Sequence, residues 1–252
     1  MSSLPTMTNN TNTNTVYRAS NLEPNPQLQT HNLIKVFLDS YLFRGCIEYT
    51  NLRDLTDTCR LLLKSKKYIN YKLNKFYSLM YYNDETFRAR ILNKIYNPRK
   101  QLYINLENHY FISDVSVLDN VHTLNLSHCV NITDVSPLIN VHNLNLRFCK
   151  NIINYSILGK GTIHTLNLSY TNVLNEDIKS LGTLNTLILS GCSNITDVSP
   201  LINVRILDLS FCRNIIDFTV LRNGSIHTLD LSYCYVTEEI IRSLKNTLHI
   251  AL

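Results

Sequence analysis

The chain is 252 residues long, 44% apolar, and carries 24 Lys plus Arg against 19 Asp plus Glu, a formal net charge of +5. That apolar fraction supports a packed core and excludes a chain disordered throughout. No segment reaches the roughly 18 consecutive apolar residues of a membrane span, and the seven cysteines are neither an even disulfide set nor arranged in any C-x-x-C pair.

In chain order, residues 1–30 are rich in Asn, Thr, Ser and Pro and are read as a flexible tail. They lack the continuous apolar core of a secretory signal. From 31 to 100 the apolar residues take helical spacing: Leu33, Phe37 and Tyr41; Leu52, Leu55, Cys59 and Leu62; Leu73, Phe76 and Met80; Phe87, Ile91 and Ile95. Three or four short helices are expected. Asn51 and Asp54 stand at the spacing of a capping box, and the last helix should stop near Asn97, because the residue before Pro98 is pushed out of the helical region. The stretch holds the densest basic run, Arg60, Lys64, Lys66, Lys67, Lys72 and Lys75. Such a run can serve a nucleic-acid surface, but it follows helical periodicity with no nucleic-acid-binding motif beside it, so solvated helix faces account for it. Residues 1–100 carry 15 Lys plus Arg against 7 Asp plus Glu, and residues 101–252 carry 9 against 12. The two parts are therefore expected to meet different partners.

From residue 101 the pattern becomes a repeat of 20 to 22 residues nested in one of 63, for Ile132 to Asn140 returns word for word as Ile195 to Asn203. The short unit reads V-x-x-L-x-L-S-x-C: Val121 to Cys129, Val141 to Cys149, Val204 to Cys212 and Ile226 to Cys234, with variants at Ile163 to Thr171 and Leu184 to Cys192. Units begin near residues 101, 121, 141, 163, 184, 204, 226 and 248, the first an atypical cap with Gln101 in place of Val. This period and L-x-x-L-x-L spacing are the signature of leucine-rich repeats. The expected fold is an α/β solenoid with a curved parallel sheet, preceded by a small all-α domain. Leu124 and Leu126 share the inward face of a strand, and Ile132, Val135 and Leu138 anchor the return path. Asn175-Glu176-Asp177 and Thr237-Glu238-Glu239 resemble N-caps with acidic first turns and should open short helices. The Asp-Val-Ser-Pro-Leu units should be extended or a single tight turn.

Gly159-Lys160-Gly161-Thr162 does not fit a phosphate-binding loop; its counterpart is Arg222-Asn223-Gly224-Ser225, and both close a repeat. Cys129, Cys149, Cys192, Cys212 and Cys234 share one repeat position, which marks them as structural thiols packed inside the turn, reduced in a cytosolic setting. The Asn-x-Ser/Thr matches at Asn125, Asn131, Asn167 and Asn194 lie in the repeat framework and are not expected to be glycosylated. No nucleophile elbow, H-E-x-x-H or other catalytic or cofactor-binding motif is present.

Positions 2, 3, 5, 7 and 8 of the unit should form columns on the concave face. Position 2 reads His122, His142, His164, Asn185, Arg205, His227. A histidine column has the donors to bind metal or sense pH, while duplication of a solvent-facing residue generates the same recurrence. Position 8 reads His128, Phe148, Tyr170, Gly191, Phe211, Tyr233. These rings suit interface anchors or stacking within the solenoid. Position 5 changes from Asn125, Asn145 and Asn167 to Ile188, Asp208 and Asp230, making the C-terminal half more acidic. Candidate target contacts are thus His122, His142, Arg147, Phe148, His164, Tyr170, Arg205, Asp208, Phe211, His227, Asp230 and Tyr233.

Leu33-Ile34 to Leu42, followed by Asn51 to Leu62 with its leucine stripe and Cys59-Arg60 pair, resembles an F-box. An F-box-like segment, a basic Tyr-rich helical linker and repeats reading N-I-T-D-V-S-P-L are together similar to F-box/leucine-rich-repeat proteins of giant DNA viruses of amoebae. Three alanines against 32 asparagines suit an AT-rich genome of that kind. The resemblance implies a substrate receptor of an SCF-type ubiquitin ligase in the host cytoplasm. Leu33, Phe37, Leu52, Leu55, Cys59 and Leu62 would dock a Skp-type adaptor and, through it, a cullin, and the repeats would hold an unidentified protein target without chemistry or cofactor. Two other readings stay open: a free-standing scaffold whose N-terminal helices cap the solenoid, and a ubiquitin ligase using its own Cys46 or Cys59.

Overall fold

The computed structural model describes residues 69–95, 100–245 and 249–251, all within the compact unit Cys59–Leu252. Residues 1–30, read above as a tail, the F-box-like segment and the candidate adaptor contacts Leu33, Phe37, Leu52, Leu55, Cys59 and Leu62 lie outside the described residues.

Among the described residues nine strands form one parallel sheet in strictly sequential order. They are β1 (Ile69–Lys72), β2 (Lys100–Asn105), β3 (Thr123–Asn125), β4 (Asn143–Asn145), β5 (Thr165–Asn167), β6 (Thr186–Ile188), β7 (Ile206–Asp208), β8 (Thr228–Asp230) and β9 (His249–Ala251). The register keeps equal repeat positions opposite one another, Leu124 on Leu144 and Leu207 on Leu229, for example. Both leucines of the L-x-L pair are buried, and in β3 and β4 the residues either side of the first remain half exposed. No strand of three residues could bury its own leucines; the leucine column does so because every rung lends the next an apolar floor. This is the leucine-rich-repeat solenoid.

The return paths reproduce the 63-residue period as structure. In the units starting at Val121 and Leu184 a three-residue 3-10 turn follows, Ser136–Leu138 and Ser199–Leu201. In the next pair it is five residues, Ser156–Lys160 and Thr219–Asn223. In the third it is α-helical, Asn175–Ile178 and Glu238–Lys245. Pro137 and Pro200 sit in the first turn, where a missing N–H costs nothing, so the Asp-Val-Ser-Pro-Leu segments adopt the single tight turn expected of them. Asp134 and Asp197 accept the N–H of Ser136 and Ser199 at 2.8 and 2.9 Å. The helix expected to be capped by Asn175 is capped one residue earlier instead: Asp177 accepts the N–H of Leu174 at 3.0 Å. Asn175 reaches the following unit, accepting the N–H of Thr196 at 3.0 Å.

Gly161 and Gly224 confirm the turn reading of the Gly-Lys-Gly-Thr segment. A Cβ on either would overlap the carbonyl of Ile139 or Ile202 in the preceding unit. Those carbonyls accept the N–H of Thr162 and Ser225 at 2.9 and 2.8 Å.

The main departure from the sequence reading lies before residue 100. Ile69–Lys72 is a strand on the sheet, not helix, so Lys72 of the basic run projects from β1, its ammonium 4.8 Å from the centre of the Tyr103 ring. Two helices follow, α1 (Lys75–Asn83) and α2 (Glu85–Ile95), both in contact with β2. Asn74 caps α1 by accepting the N–H of Tyr77 at 2.9 Å, and Asp84 caps α2 by accepting that of Phe87 at 3.0 Å. The buried stripe of α1 is Ser78 and Tyr81, with Leu73 just before it; Phe76, expected on that stripe, is 65% exposed.

Candidate functional site

Five units end their strand in the same way, the unit of Ile188 being an exception. The side-chain oxygen at position 5 accepts the N–H two residues on: Asn125 from Ser127, Asn145 from Arg147, Asn167 from Ser169, Asp208 from Ser210 and Asp230 from Ser232, at 2.8 to 3.0 Å. Asn and Asp serve equally here because only an acceptor is required. The chain then turns left-handed at position 8. His128, Phe148, Tyr170, Phe211 and Tyr233 all have φ between 58 and 62°, joined by Asn108 at 66° and Gly191 at 69°. This geometry sends the position-8 N–H to the next rung, as in His128 to the carbonyl of Arg147 and Phe211 to that of Ser232, at 2.8 and 2.9 Å. Left-handed backbone disfavours a bulky L-residue by about 1–2 kcal/mol. The rings are held there in spite of that cost.

The left-handed turn stacks them. His128 lies 4.4 Å from Phe148 and Phe148 4.8 Å from Tyr170, centroid to centroid. Phe211 lies 4.4 Å from Tyr233. Between the stacks is Gly191, where a Cβ would overlap the Tyr170 ring. Arg147 places its guanidinium 4.9 Å from the Phe148 centroid and 4.8 Å from that of Tyr170. In the column beside the stack Ser127, Ser169, Ser190 and Ser210 at position 7 are buried, although they were expected on the open face, while Arg147 in the same column is half exposed. Tyr233 is 68% exposed and Phe211 38%.

Position 2 carries a second stack, His122 to His142 at 4.7 Å and His142 to His164 at 4.9 Å. Burial, and then the neighbouring imidazole, lowers the pKa of His122 and of His142. Among the described residues no group of three His, Cys, Asp or Glu is placed to hold a metal ion. Arg205 and His227 continue the position-2 column, both exposed.

The cysteines point the other way, into the core. Each thiol donates to a carbonyl of the preceding unit: Cys129 to Leu106, Cys149 to Leu126, Cys192 to Leu168, Cys212 to Leu189 and Cys234 to Leu209, at 3.0 to 3.2 Å. Burial pushes Cys129, Cys149 and Cys212 up to about 11, 12 and 12 and also raises Cys192 and Cys234. These five thiols are structural donors, not nucleophiles. Thr171 breaks the series by donating to Leu168 of its own unit at 2.7 Å. A second ladder was not foreseen: Asn151, Asn172, Asn194 and Asn214 donate through Nδ2 to carbonyls one unit back, at 2.7 to 3.4 Å, as does Asn131 to Tyr110. The side chains of Asn131 and Asn194, both in Asn-x-Thr matches, are thereby occupied.

A cleft of about 280 Å³ lined by Thr133, Asp134, Ser136, Ile153, Asn154 and Ile157 lies on the return path, away from the columns. It is smaller than pockets that enclose drug-sized ligands.

No protein-family model and no curated protein matches the chain. Among solved structures it is similar to the functional domain of InlJ from Listeria monocytogenes, which includes a cysteine ladder, at 18% identity and a TM-score of 0.34 over 60% of this chain and 42% of that one. It is also similar to internalin C2 of L. monocytogenes, at 19% identity and a TM-score of 0.31 over 60% of this chain and 61% of that one. The chain thus spans less than two thirds of either. The fold assignment rests on the sheet itself, on its register and on the repeated turns.

Proposed function

We propose that this chain is a non-catalytic protein-interaction module that holds a protein target on the exposed face of its parallel sheet. The observation that carries this reading is the position-8 column: rings kept in left-handed backbone, half exposed or exposed, beside an Arg clamped over two of them. Asparagine and glycine occupy the same position without strain at Asn108 and Gly191, so the turn alone does not call for aromatic side chains. Aromatic and Arg side chains are the residues that dominate protein interfaces.

The finer reading is a substrate receptor of an SCF-type ubiquitin ligase, with the F-box-like segment docking a Skp-type adaptor and cullin and the sheet presenting the target. Its support is the resemblance of residues 33–62. Affinity capture from host lysate tests it. Adaptor and cullin should co-purify with the full chain, and replacing Leu52, Leu55 and Leu62 should remove them while leaving the target. Replacing Phe211 and Tyr233 should do the reverse. Loss of neither on these changes, or no adaptor under mild conditions, overturns the receptor reading.

One observation favours the free-standing scaffold as the second reading. Part of the stretch assigned to an accessory helical domain, residues 69–95, forms β1, α1 and α2 against the first repeat, which is how a cap behaves.

A further inference from the structure

The open face is not uniform in charge, and resting on the reading that this face holds a polypeptide, its pattern defines the partner's chemistry. Columns 5, 7 and 8 make the track. Taken rung by rung, column 5 runs Asn105, Asn125, Asn145, Asn167, Ile188, Asp208, Asp230, and column 7 runs Glu107, Ser127, Arg147, Ser169, Ser190, Ser210, Ser232. Arg147 is the single cation of these two columns. Glu107 is met by the Asn125 amide at 3.5 Å. Among the described residues the ion pairs are Lys179 with Glu176 and Arg242 with Glu238, both off this face, so no described residue forms an ion pair with Arg147, Asp208 or Asp230. Arg205 shares a rung with Asp208 but stands three residues earlier, roughly 10 Å along the strand, and forms no ion pair with it. Between the cation and the two acids Ile188 is half exposed, and beside Asp208 in its own rung, in column 3, Ile206 is 40% exposed.

We propose that the occupant is an extended segment of a protein partner running across the rungs, with an acidic side chain at Arg147, an apolar one over Ile188 and Ile206, and basic side chains opposite Asp208 and Asp230. Rungs repeat at about 4.8 Å, so Asp208 and Asp230 lie about 14 and 19 Å from the Arg147 rung. An extended chain advances about 3.3 Å per residue, which sets the acid and the bases roughly four to six residues apart. The position of Arg147 adds selectivity: the Phe148 and Tyr170 faces hold the guanidinium in place, so a carboxylate meets a fixed donor fork rather than a mobile ammonium.

The repeat supplies its own conservative substitutions. Asp208→Asn with Asp230→Asn retains the acceptor that closes the turn, as Asn125, Asn145 and Asn167 do, and removes only charge. Arg147→Ser installs the residue present at that position in five other rungs.

The test is fluorescence anisotropy of the full chain with labelled 12-residue peptides: one with lysines about four and six residues from a glutamate and a leucine between, one of the same composition with the charges adjacent, one uniformly acidic and one uniformly basic. The spaced peptide should bind at least tenfold more tightly than the other three at low salt and lose that margin at 0.5 M salt. Arg147→Ser and the double Asn variant should each cut its affinity at least tenfold while leaving the melting temperature unchanged. Equal affinity for the adjacent-charge or uniform peptides overturns the proposal. If binding is indifferent to those charge variants but lost in Phe211→Ala with Tyr233→Ala, the face still takes a polypeptide and only its charge code is wrong. Should no peptide bind, or none respond to any of these substitutions, the face reading falls as well. Concentration-dependent dimerisation abolished by Arg147→Ser would put a second copy of this chain on the track and overturn the proposal in another way.

Discussion

A phenylalanine or tyrosine at φ near 60° stays there only if something offsets about 1–2 kcal/mol of steric cost. Ring stacking, worth about 0.5–1.5 kcal/mol per pair, and the inter-rung hydrogen bond of the position-8 N–H are of that size. Phe211→Asn and Tyr170→Asn should therefore leave the melting temperature unchanged or raised, because Asn adopts this conformation readily and Asn108 already does so; Phe211→Asn should weaken target capture. Gly191→Ala should lower the melting temperature, since the new Cβ meets both a positive φ and the Tyr170 ring. A Gly191→Ala protein as stable as the parent would refute the stacked arrangement. Acid should act on two sets of side chains. Backbone and side-chain donors hold Asp114, Asp197 and Asp217 below the usual carboxylate range; a depressed carboxyl stabilises the fold above its unfolded pKa of about 4 and loses that contribution as pH falls through the folded value. His122 and His142, also depressed, contribute fully above about pH 6.5 and lose it as pH drops toward their folded values. Melting temperature should thus decline in two stages on acidification. His122→Gln with His142→Gln should remove the first, and Asp→Asn at 114, 197 and 217 should weaken the second. The columns themselves were legible in the sequence, because duplication writes them as aligned letters. The left-handed turn was not, although Asn108 and Gly191, the two residue types most at ease with positive φ, already marked its position among the aromatics.

At the level of elements, the leucine, cysteine and return-path anchors were readable because their period matches the rung, whereas the asparagine ladder was hidden: its donors lie where loop residues are ordinarily polar. Turn type was readable where proline constrained it, at Pro137 and Pro200, and less so where side chains competed for one cap, as Asp177 outcompeted Asn175. The thiol ladder gives this level its test. With burial raising every described thiol and Cys234 the least buried, iodoacetamide at pH 8 should modify Cys234 first among these five. Cys129, Cys149, Cys192 and Cys212 should react only after local opening. Mass spectrometry of peptides from a time course reads this directly. Early modification of Cys149 or Cys192, in the middle of the stack, would mean that the inward register is wrong or that neighbouring units separate freely.

For the whole molecule the decisive residue is Leu102. It occupies the column that holds histidine in later rungs, yet it is 2% exposed, and β2 is the strand that α1 and α2 contact. Helical spacing alone could not reveal this, because Ile69–Lys72 is too short a run to show strand alternation and sits among apolar residues placed for helices. Its consequence concerns where the repeat unit can be cut. A fragment beginning at residue 59 keeps β1, α1 and α2, and should melt as the repeat unit of the full chain does. One beginning at residue 101 strips them from β2; baring one leucine of this size costs about 1.5–3 kcal/mol, and Ile104 and Leu106 on the same strand stand to lose cover too. That fragment should melt markedly lower or aggregate. If it melts like the longer one, the first strand and its helices are appendages rather than a cap. The longer fragment also separates the two functional readings, since it lacks Leu33 to Leu55 but retains the whole open face: it should capture target and lose adaptor. Loss of both together would mean that adaptor and target share one site, and the receptor reading would have to give way to the scaffold.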